Sequence, residues 1–371
     1  MRHVLAFVPF VLLALGCGGH LSNERTMARG DRAYSSGRFE EAARAYAAAA
    51  NEADKARHQD RALYLSAMAF VRAGNRGEAR SILVRLAKEE PAGEYTAIGA
   101  YKLAGMIVES EGIDAGIRAL DEVYTRHPSA GISKRAFHVS RALREERDGQ
   151  EKVLLWLRNI DGGPLHKTDI GEPVAYDIAS LLERMDRKDA AVLAYVSVAT
   201  EWPYPRGAHY DDALVKASDL ELGRGNAVRA AQLLEELMHV QETSEMMGSY
   251  QRPRVIEAAF KLAEIYRDHV KDNARAISTY RFIYRRVSTA KRDKALWEIA
   301  AIERFAGDPS SACRTMRTLV DEFPNSRYVP CAEEACPGSP GIKRSEKSKA
   351  PATCRDYLKR ARTADASKAS E

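Results

Sequence analysis

The chain has 371 residues, 45% hydrophobic and 29% charged, a profile that excludes a wholly disordered polypeptide. Aromatic residues make up only 8%, and few stretches alternate β-branched with polar residues, so the mass is predicted to be helical rather than a β-sandwich or barrel. Lys plus Arg number 57 against 52 Asp plus Glu, and a net charge of +5 supplies no chain-wide basic field of the kind nucleic-acid binding needs.

At the N-terminus Arg2 precedes an apolar run from Val4 to Leu15. The run is too short to span a bilayer and suits the hydrophobic region of a secretory signal. The segment Leu13-Ala14-Leu15-Gly16-Cys17 resembles the lipobox of bacterial lipoproteins, with Ala14 where Leu is commoner. That resemblance implies a signal peptide over 1–16, cleavage before Cys17 and a diacylglyceryl group on its sulfur. Gly18 stands where Asp would be the inner-membrane retention signal, so the resemblance implies a lipid-anchored protein of the outer membrane facing the periplasm. Residues 17–24, rich in Gly, Ser and Asn, read as a lipidated tether between the acyl chains and the fold.

From 25 to 330 the chain repeats itself. The clearest unit runs from Gly30-Asp31-Arg32-Ala33-Tyr34 through Gly37-Arg38-Phe39 to Ala42, Tyr46 and Ala49. It resembles the tetratricopeptide (TPR) consensus: a small residue in helix A, Gly at the turn, then small, aromatic and small at i, i+4 and i+7 of helix B. Equivalent anchors stand at Ala42, Ala79, Gly116, Val153, Ala191, Ala230, Ala276 and Ala312, spaced 37, 37, 37, 38, 39, 46 and 36. Four and seven residues after each anchor every position is apolar or aromatic, one stripe of a helix.

The anchor itself must be small because the two helices cross closest there. Twelve residues earlier, on helix A, stand Gly30, Ala67, Ala104, Ala179, Ser218 and Ala300. The fourth and seventh repeats break this rule with Arg141 and Glu264, and place Ala142 and Ala263 one residue off. Pro128, Pro203 and Pro324, with Pro91, end the B helices because proline lacks the N–H of a helix interior. The expected fold is all-α: about eight TPR-like helical hairpins stacked as a right-handed α-solenoid.

Residues 331–371 read as a cysteine-bearing basic tail, with a Pro, Gly, Ser and Lys-rich linker over 337–351. Cys313, Cys331, Cys336 and Cys354 are disulfide candidates in an exported protein, with three possible connectivities. On a helix Cys331 and Cys336 would lie about 140° apart, which disfavours a bridge between them. The cysteine spacings fit no compact zinc knuckle, so no metal is expected. Gly341–Glu371 holds nine basic residues against four acidic ones, which leaves the array near neutrality and makes peptidoglycan or anionic lipid a partner to consider for the tail.

Nothing in the sequence carries catalysis. There is no H-E-x-x-H, no G-x-S-x-G elbow and no Walker loop, so neither catalytic residues nor a cofactor are expected. Trp156, Trp202 and Trp297 sit beside core-stripe positions and read as packing residues. Together the lipobox and the repeats resemble envelope TPR lipoproteins such as the TPR subunit of the β-barrel assembly machine, pilotins and gliding-motility lipoproteins. Phe323-Pro324-Asn325-Ser326-Arg327-Tyr328 is similar to an F-P-x-S-x-Y segment of that set. The resemblance implies a non-enzymatic, membrane-anchored scaffold whose TPR groove binds an envelope protein or peptide. A cell-wall-binding or enzyme-accessory role is the alternative.

Overall fold

The computed structural model describes residues 18–88, 94–239, 253–286 and 291–336. Among these every regular element is a helix, and the chain divides into two units, one ending at Ile178 and the other beginning at Ala179.

The first unit holds α1 (Gly18–Ser35), α2 (Phe39–Glu52), α3 (Ala56–Arg72), α4 (Arg76–Leu86), α5 (Glu94–Glu111), α6 (Ile113–Arg126), α7 (Gly131–Asp148) and α8 (Gln150–Asp161). A 3₁₀ turn, Pro164–Lys167, then leads into α9 (Gly171–Arg184), in which the boundary between the units falls. The second unit continues with α10 (Lys188–Glu201), α11 (Tyr210–Gly223), α12 (Ala227–Met238) and α13 (Pro253–Ile265). A π-helical turn, Tyr266–Val270, prolongs α13 and is followed by α14 (Asn273–Arg285), α15 (Arg292–Phe305), α16 (Pro309–Glu322) and the short α17 (Val329–Ala335).

The hairpins are built on the repeat positions. Ala42, Ala79, Gly116, Val153, Ala191, Ala230, Ala276 and Ala312 are all buried, as are the eight residues four positions later, Tyr46 through Met316. Burying each of the leucines among them (Leu83, Leu120, Leu157, Leu234) contributes about 1.5–3 kcal/mol. Of the residues seven positions on, Ile160 is only half-buried, because α8 ends one residue later at Asp161. The close crossing is visible directly in the sixth hairpin, where Ser218 Oγ on α11 donates to the carbonyl of the anchor Ala230, 2.9 Å away. In the third, a Cβ on Gly116 would stand 2.1 Å from Val108 Cγ2, so no larger residue fits that anchor.

Two kinds of turn join helix A to helix B. In five hairpins a residue of positive φ (Gly37, Gly74, Asp186, Gly225 or Gly307) is followed by an N–H that bonds the carbonyl five residues back, as Arg38 does to Ala33 at 2.9 Å. The seventh hairpin uses the same turn with Lys271 at φ 63°, but the following N–H of Asp272 bonds Tyr266, six residues back. The π turn therefore holds one extra residue, and it moves the small position from Glu264 to the fully buried Ala263. The third and fourth hairpins turn on a single residue, Gly112 at φ 88°, ψ 178° and Gly149 at φ 78°, ψ 172°. That region of backbone space is open to glycine alone.

Three expectations need correction. The stretch 17–24 is not a tether in its described part: α1 starts at Gly18, and the Asn23 amide is buried, donating to Ala49 O at 2.6 Å. A short polar residue that finds a buried acceptor on α2 belongs to the fold despite linker-like neighbours. In the fourth hairpin Ala142 is exposed and so does not serve as a small crossing residue; the buried small residue nearby is Ser140, which faces α6. Ser140 is chosen by chemistry as well as size, because its hydroxyl donates to Asp121 Oδ1 at 2.5 Å, beside the Tyr124 hydroxyl at 2.8 Å and the Arg144 guanidinium. Third, the fold does not stop at 330: Cys331, Ala332, Ala335 and Cys336 are buried in a cluster with Trp297, Met316 and Tyr328. The linker 337–351 and the rest of the tail lie outside the described residues, as does the segment 1–17.

The two turn types give opposite expectations for substitution. Gly149→Ala should cost about 2 kcal/mol, since alanine cannot adopt the mirror-extended backbone without strain. Gly74→Asn should cost less than about 1 kcal/mol, since Asp186 and Lys271 already occupy the equivalent turn position. Urea unfolding midpoints of the two variants check the difference; equal midpoints would contradict it.

Candidate interaction surfaces

Stacking hairpins places each odd-numbered helix beside the next odd-numbered one, and their outward side chains meet as ion pairs. In the first unit Asp177 of α9 is 3.4 Å from His138 Nδ1 and 3.1 Å from Arg141 Nε, both on α7, and Arg141 also reaches Glu145 at 2.7 Å. In the second unit Lys216 of α11 pairs with Glu183 of α9 at 3.1 Å, and the Tyr195 hydroxyl donates to the same carboxylate at 2.6 Å. Arg254 of α13 pairs with Asp212 of α11 at 2.8 Å, and Lys261 of α13 with Asp219 of α11. Arg267 of the π turn reaches Glu298 of α15 at 2.8 Å.

Pairs at this exposure contribute roughly 0–1 kcal/mol each, so they set the register between repeats more than they stabilise it. They also make these helix faces polar and locally neutralised. The apolar trough that a buried helical ligand requires is not formed by these residues.

The ladder's last step has asymmetric electrostatics. The Arg267 fork donates Nε and Nη2 to Asp268, both at 2.8 Å, and Nη1 to Glu298. Arg267 holds Asp268 below the ordinary carboxylate range. Glu298 is pushed up: its burial outweighs the attraction of Arg267 and Lys294, and Glu264 nearby adds to the rise. Burial likewise lowers the Lys261 ammonium, with Lys216 adding to the effect against the pull of Glu264. The Tyr280 hydroxyl, buried in the same region, has no hydrogen-bond partner, and its ionisation is driven far up by burial and by Glu298. These shifts follow from packing charged groups between hairpins. No nucleophile with an adjacent base accompanies them, and among the described residues no group of His, Cys, Asp and Glu could hold a metal ion.

Two other surface features of the first unit expose apolar side chains. On α7 the residues Arg135, His138, Ala142 and Glu146 form an exposed stripe with Lys134, Val139 and Leu143 half-buried alongside, and Arg135 lies over the Tyr101 ring at 5.9 Å. This stripe mixes cationic and aliphatic groups on one helical face. Between α4, α5 and α6 is a cavity of about 130 Å³ walled by Val84, Ala87, Ala100, Leu103, Ile107 and Val123. Its rim carries Lys88, Glu122, Arg126 and His127, with Arg126 Nη1 donating to Ala87 O at 3.3 Å. The sequence signalled neither: the stripe is hidden by the irregular fourth repeat, and the cavity depends on contacts between residues of successive hairpins.

The other residues singled out in sequence have structural surroundings. Trp297 stacks on Tyr328 with centroids 5.2 Å apart, and Ser326 of the same F-P-x-S-x-Y segment donates to Asp293 at 2.5 Å. Trp156 stacks on Phe137 at 5.8 Å, the Arg144 guanidinium lies 4.5 Å from the Trp156 ring centre, and Trp202 caps the C-terminus of α10. Cys313 and Cys336 form a disulfide with Cα atoms 5.5 Å apart, so Cys336 bonds across to α16 rather than to Cys331 on its own helix. Cys331 is also disulfide-bonded, while Cys17 and Cys354 lie outside the described residues. No described helix is long and apolar enough to cross a membrane.

Residues 61–92 and 294–326, the second and eighth repeats, match the family model of the tetratricopeptide repeat. No curated protein matches the chain significantly. Among solved structures, the TPR domain of P58(IPK) aligns at 13% identity and a TM-score of 0.27, over 92% of this chain and 98% of that one. A tetratricopeptide repeat protein from Parabacteroides merdae aligns at 16% and 0.31, over 75% and 97%. The TPR2AB domain of yeast Sti1, solved in complex with pHSP90, aligns at 13% and 0.26, over 85% and 98%. The chain thus carries TPR repeats in an all-α array, an architecture of protein–protein interaction.

Protonation of Glu298 should be visible in stability. Its folded pKa lies above its unfolded one, so its contribution is fully present below the unfolded value and is lost as pH rises through the folded one. In Glu298→Gln that acid-side gain is absent, and the stability advantage of the parent chain over the variant should grow as pH falls from 7 toward 4. Urea midpoints across this range check it; parallel profiles would show that burial does not control this carboxyl.

Proposed function

We propose that this chain is a lipid-anchored scaffold of the bacterial envelope, held on the outer membrane through Cys17 and binding another envelope protein on the open face of α7. The observation that carries the binding surface is the α7 stripe: Lys134 and Arg135 lie beside half-buried Val139 and Leu143, with Ala142 leaving space between them. Such a face suits an amphipathic partner segment with acidic side chains along one edge. TPR repeats over 61–92 and 294–326 support a binding role, and the residues from Val4 to Cys17 support export and lipidation.

The neighbouring ion pairs favour the same reading. Asp177 engages His138 and Arg141 on the side of α7 toward α9, which leaves Arg135 and Lys134 as the cations for an incoming carboxylate. Binding would then be steered by charge and weaken as salt rises. Affinity would come from the aliphatic contacts.

Two experiments test the reading. A photo-crosslinking residue at Ala142 should capture a discrete envelope protein in living cells, whereas one at the outward-facing Leu193, 72% exposed on α10, should not. Equal capture at both positions, or none at Ala142, would rule out the α7 face. Cys17→Ser should shift the protein from the detergent phase of a membrane extract to the soluble fraction; continued partitioning with detergent would sink the lipid anchor. Sedimentation with purified peptidoglycan that depends on 341–371 would instead favour the cell-wall role of the basic tail.

A further inference from the structure

The cysteines of the terminal hairpin do not balance within the described residues. Cys313 and Cys336 are bonded to each other. Cys331 is disulfide-bonded as well, and its side chain is 1% exposed inside the cluster of Trp297, Met316, Tyr328 and Ala332. The chain has five cysteines, so the partner of Cys331 is either Cys17 or Cys354. If Cys17 is the lipidated residue, as proposed above, its sulfur is taken by a thioether and only Cys354 remains.

We propose a second disulfide, Cys331–Cys354, that fastens the basic C-terminal segment onto the last hairpin. The inference rests on the lipid-anchor reading for the exclusion of Cys17. Burial of Cys331 adds a steric condition. A disulfide at a buried sulfur requires the chain carrying its partner to lie against the hairpin, because the two Cα atoms cannot be more than about 7 Å apart.

The segment around Cys354 is equipped for that position. Tyr357 and Leu358 follow the cysteine, and half-buried Val320, Phe323 and Val329 flank the cluster that receives it. A repeat array exposes the apolar side of its last unit unless something covers it. Here the tail is that cover, and Arg355, Lys359, Arg360 and Arg362 are thereby held at the end of the array.

The chemistry balances with an exported thiol-oxidising enzyme as the electron acceptor. The thiolate of one cysteine attacks the enzyme's reactive disulfide and forms a mixed disulfide, displacing one enzyme thiolate. The second cysteine's thiolate then attacks the sulfur of the first, forming Cys331–Cys354 and releasing the enzyme as a dithiol. The two protons lost by the cysteines end on the enzyme's thiols, and its disulfide takes up the two electrons.

The test is disulfide mapping of the full-length protein purified from membranes, alkylated without reduction and cut with trypsin and a glutamyl endopeptidase. Cleavage at Glu333 and Glu334 separates Cys331 from Cys336. The expected linked fragments are Cys331 with Cys354 and Cys313 with Cys336. Alkylated Cys354 together with a lipid-modified Cys17 would overturn the second bridge and leave the anchor intact. Cys331 linked to Cys17 would overturn both. As a second measurement, Cys354→Ser should expose one more alkylatable thiol per denatured chain than the parent, and an unchanged thiol count would also refute the bridge.

Discussion

The crossing of two helices within a hairpin constrains most of what is seen elsewhere in this protein. Helix A can approach helix B closely only where a side chain is nearly absent, and Ala42, Ala79, Gly116, Ala191, Ala230, Ala276 and Ala312 provide those places. Val153 is the exception, and helix α7 of its hairpin is tied instead to the preceding hairpin, through Ser140 and Arg144 to Asp121 of α6. Once the crossing is set, the residues four positions on fall into the seam between helices, and the turn must reverse the chain within one to three residues. The left-handed and mirror-extended turn residues follow from that demand.

Close hairpins have an external consequence. They align odd-numbered helices as neighbours, so each presents its outer side chains to the next, and charges of opposite sign meet between Asp177 and Arg141, Glu183 and Lys216, and Arg267 and Glu298. A face occupied in this way is polar. The α7 stripe differs because Arg135 leans over Tyr101 and Val139 and Leu143 are only half-covered. The irregular fourth repeat therefore leaves aliphatic and cationic side chains uncovered on one helix face.

The repeat was legible because its signal recurs: one small residue with apolar residues four and seven places later, at nearly constant spacing, is visible without any knowledge of contacts. Departures were not legible for specific reasons. Ser140 and Ala142 are both small, and what separates them, burial of Ser140 and its hydrogen bond to Asp121 19 residues away, is not local. The one-residue offset of Ala263 is visible in the sequence, but its cause, the π turn after Ile265, is a backbone feature with no residue signature. The ion pairs join positions such as Lys216 and Glu183, 33 residues apart, and no local pattern announces them. The linker-like composition of 17–24 misled because Asn23 has the character of a loop residue until its partner on α2 is known.

The start of α1 at Gly18 has a mechanical meaning. A chain attached to a surface by a flexible leash can pivot, and a pull on the attachment first straightens the leash. Here the residue after Cys17 is already helical, and within two turns the Asn23 amide is tied to Ala49 and the Thr26 hydroxyl to Glu52, 2.8 Å away. A force acting at that end loads the contact between α1 and α2 directly. From Gly18 onward such a force would meet no slack, because the first bonds it reaches already join two packed helices.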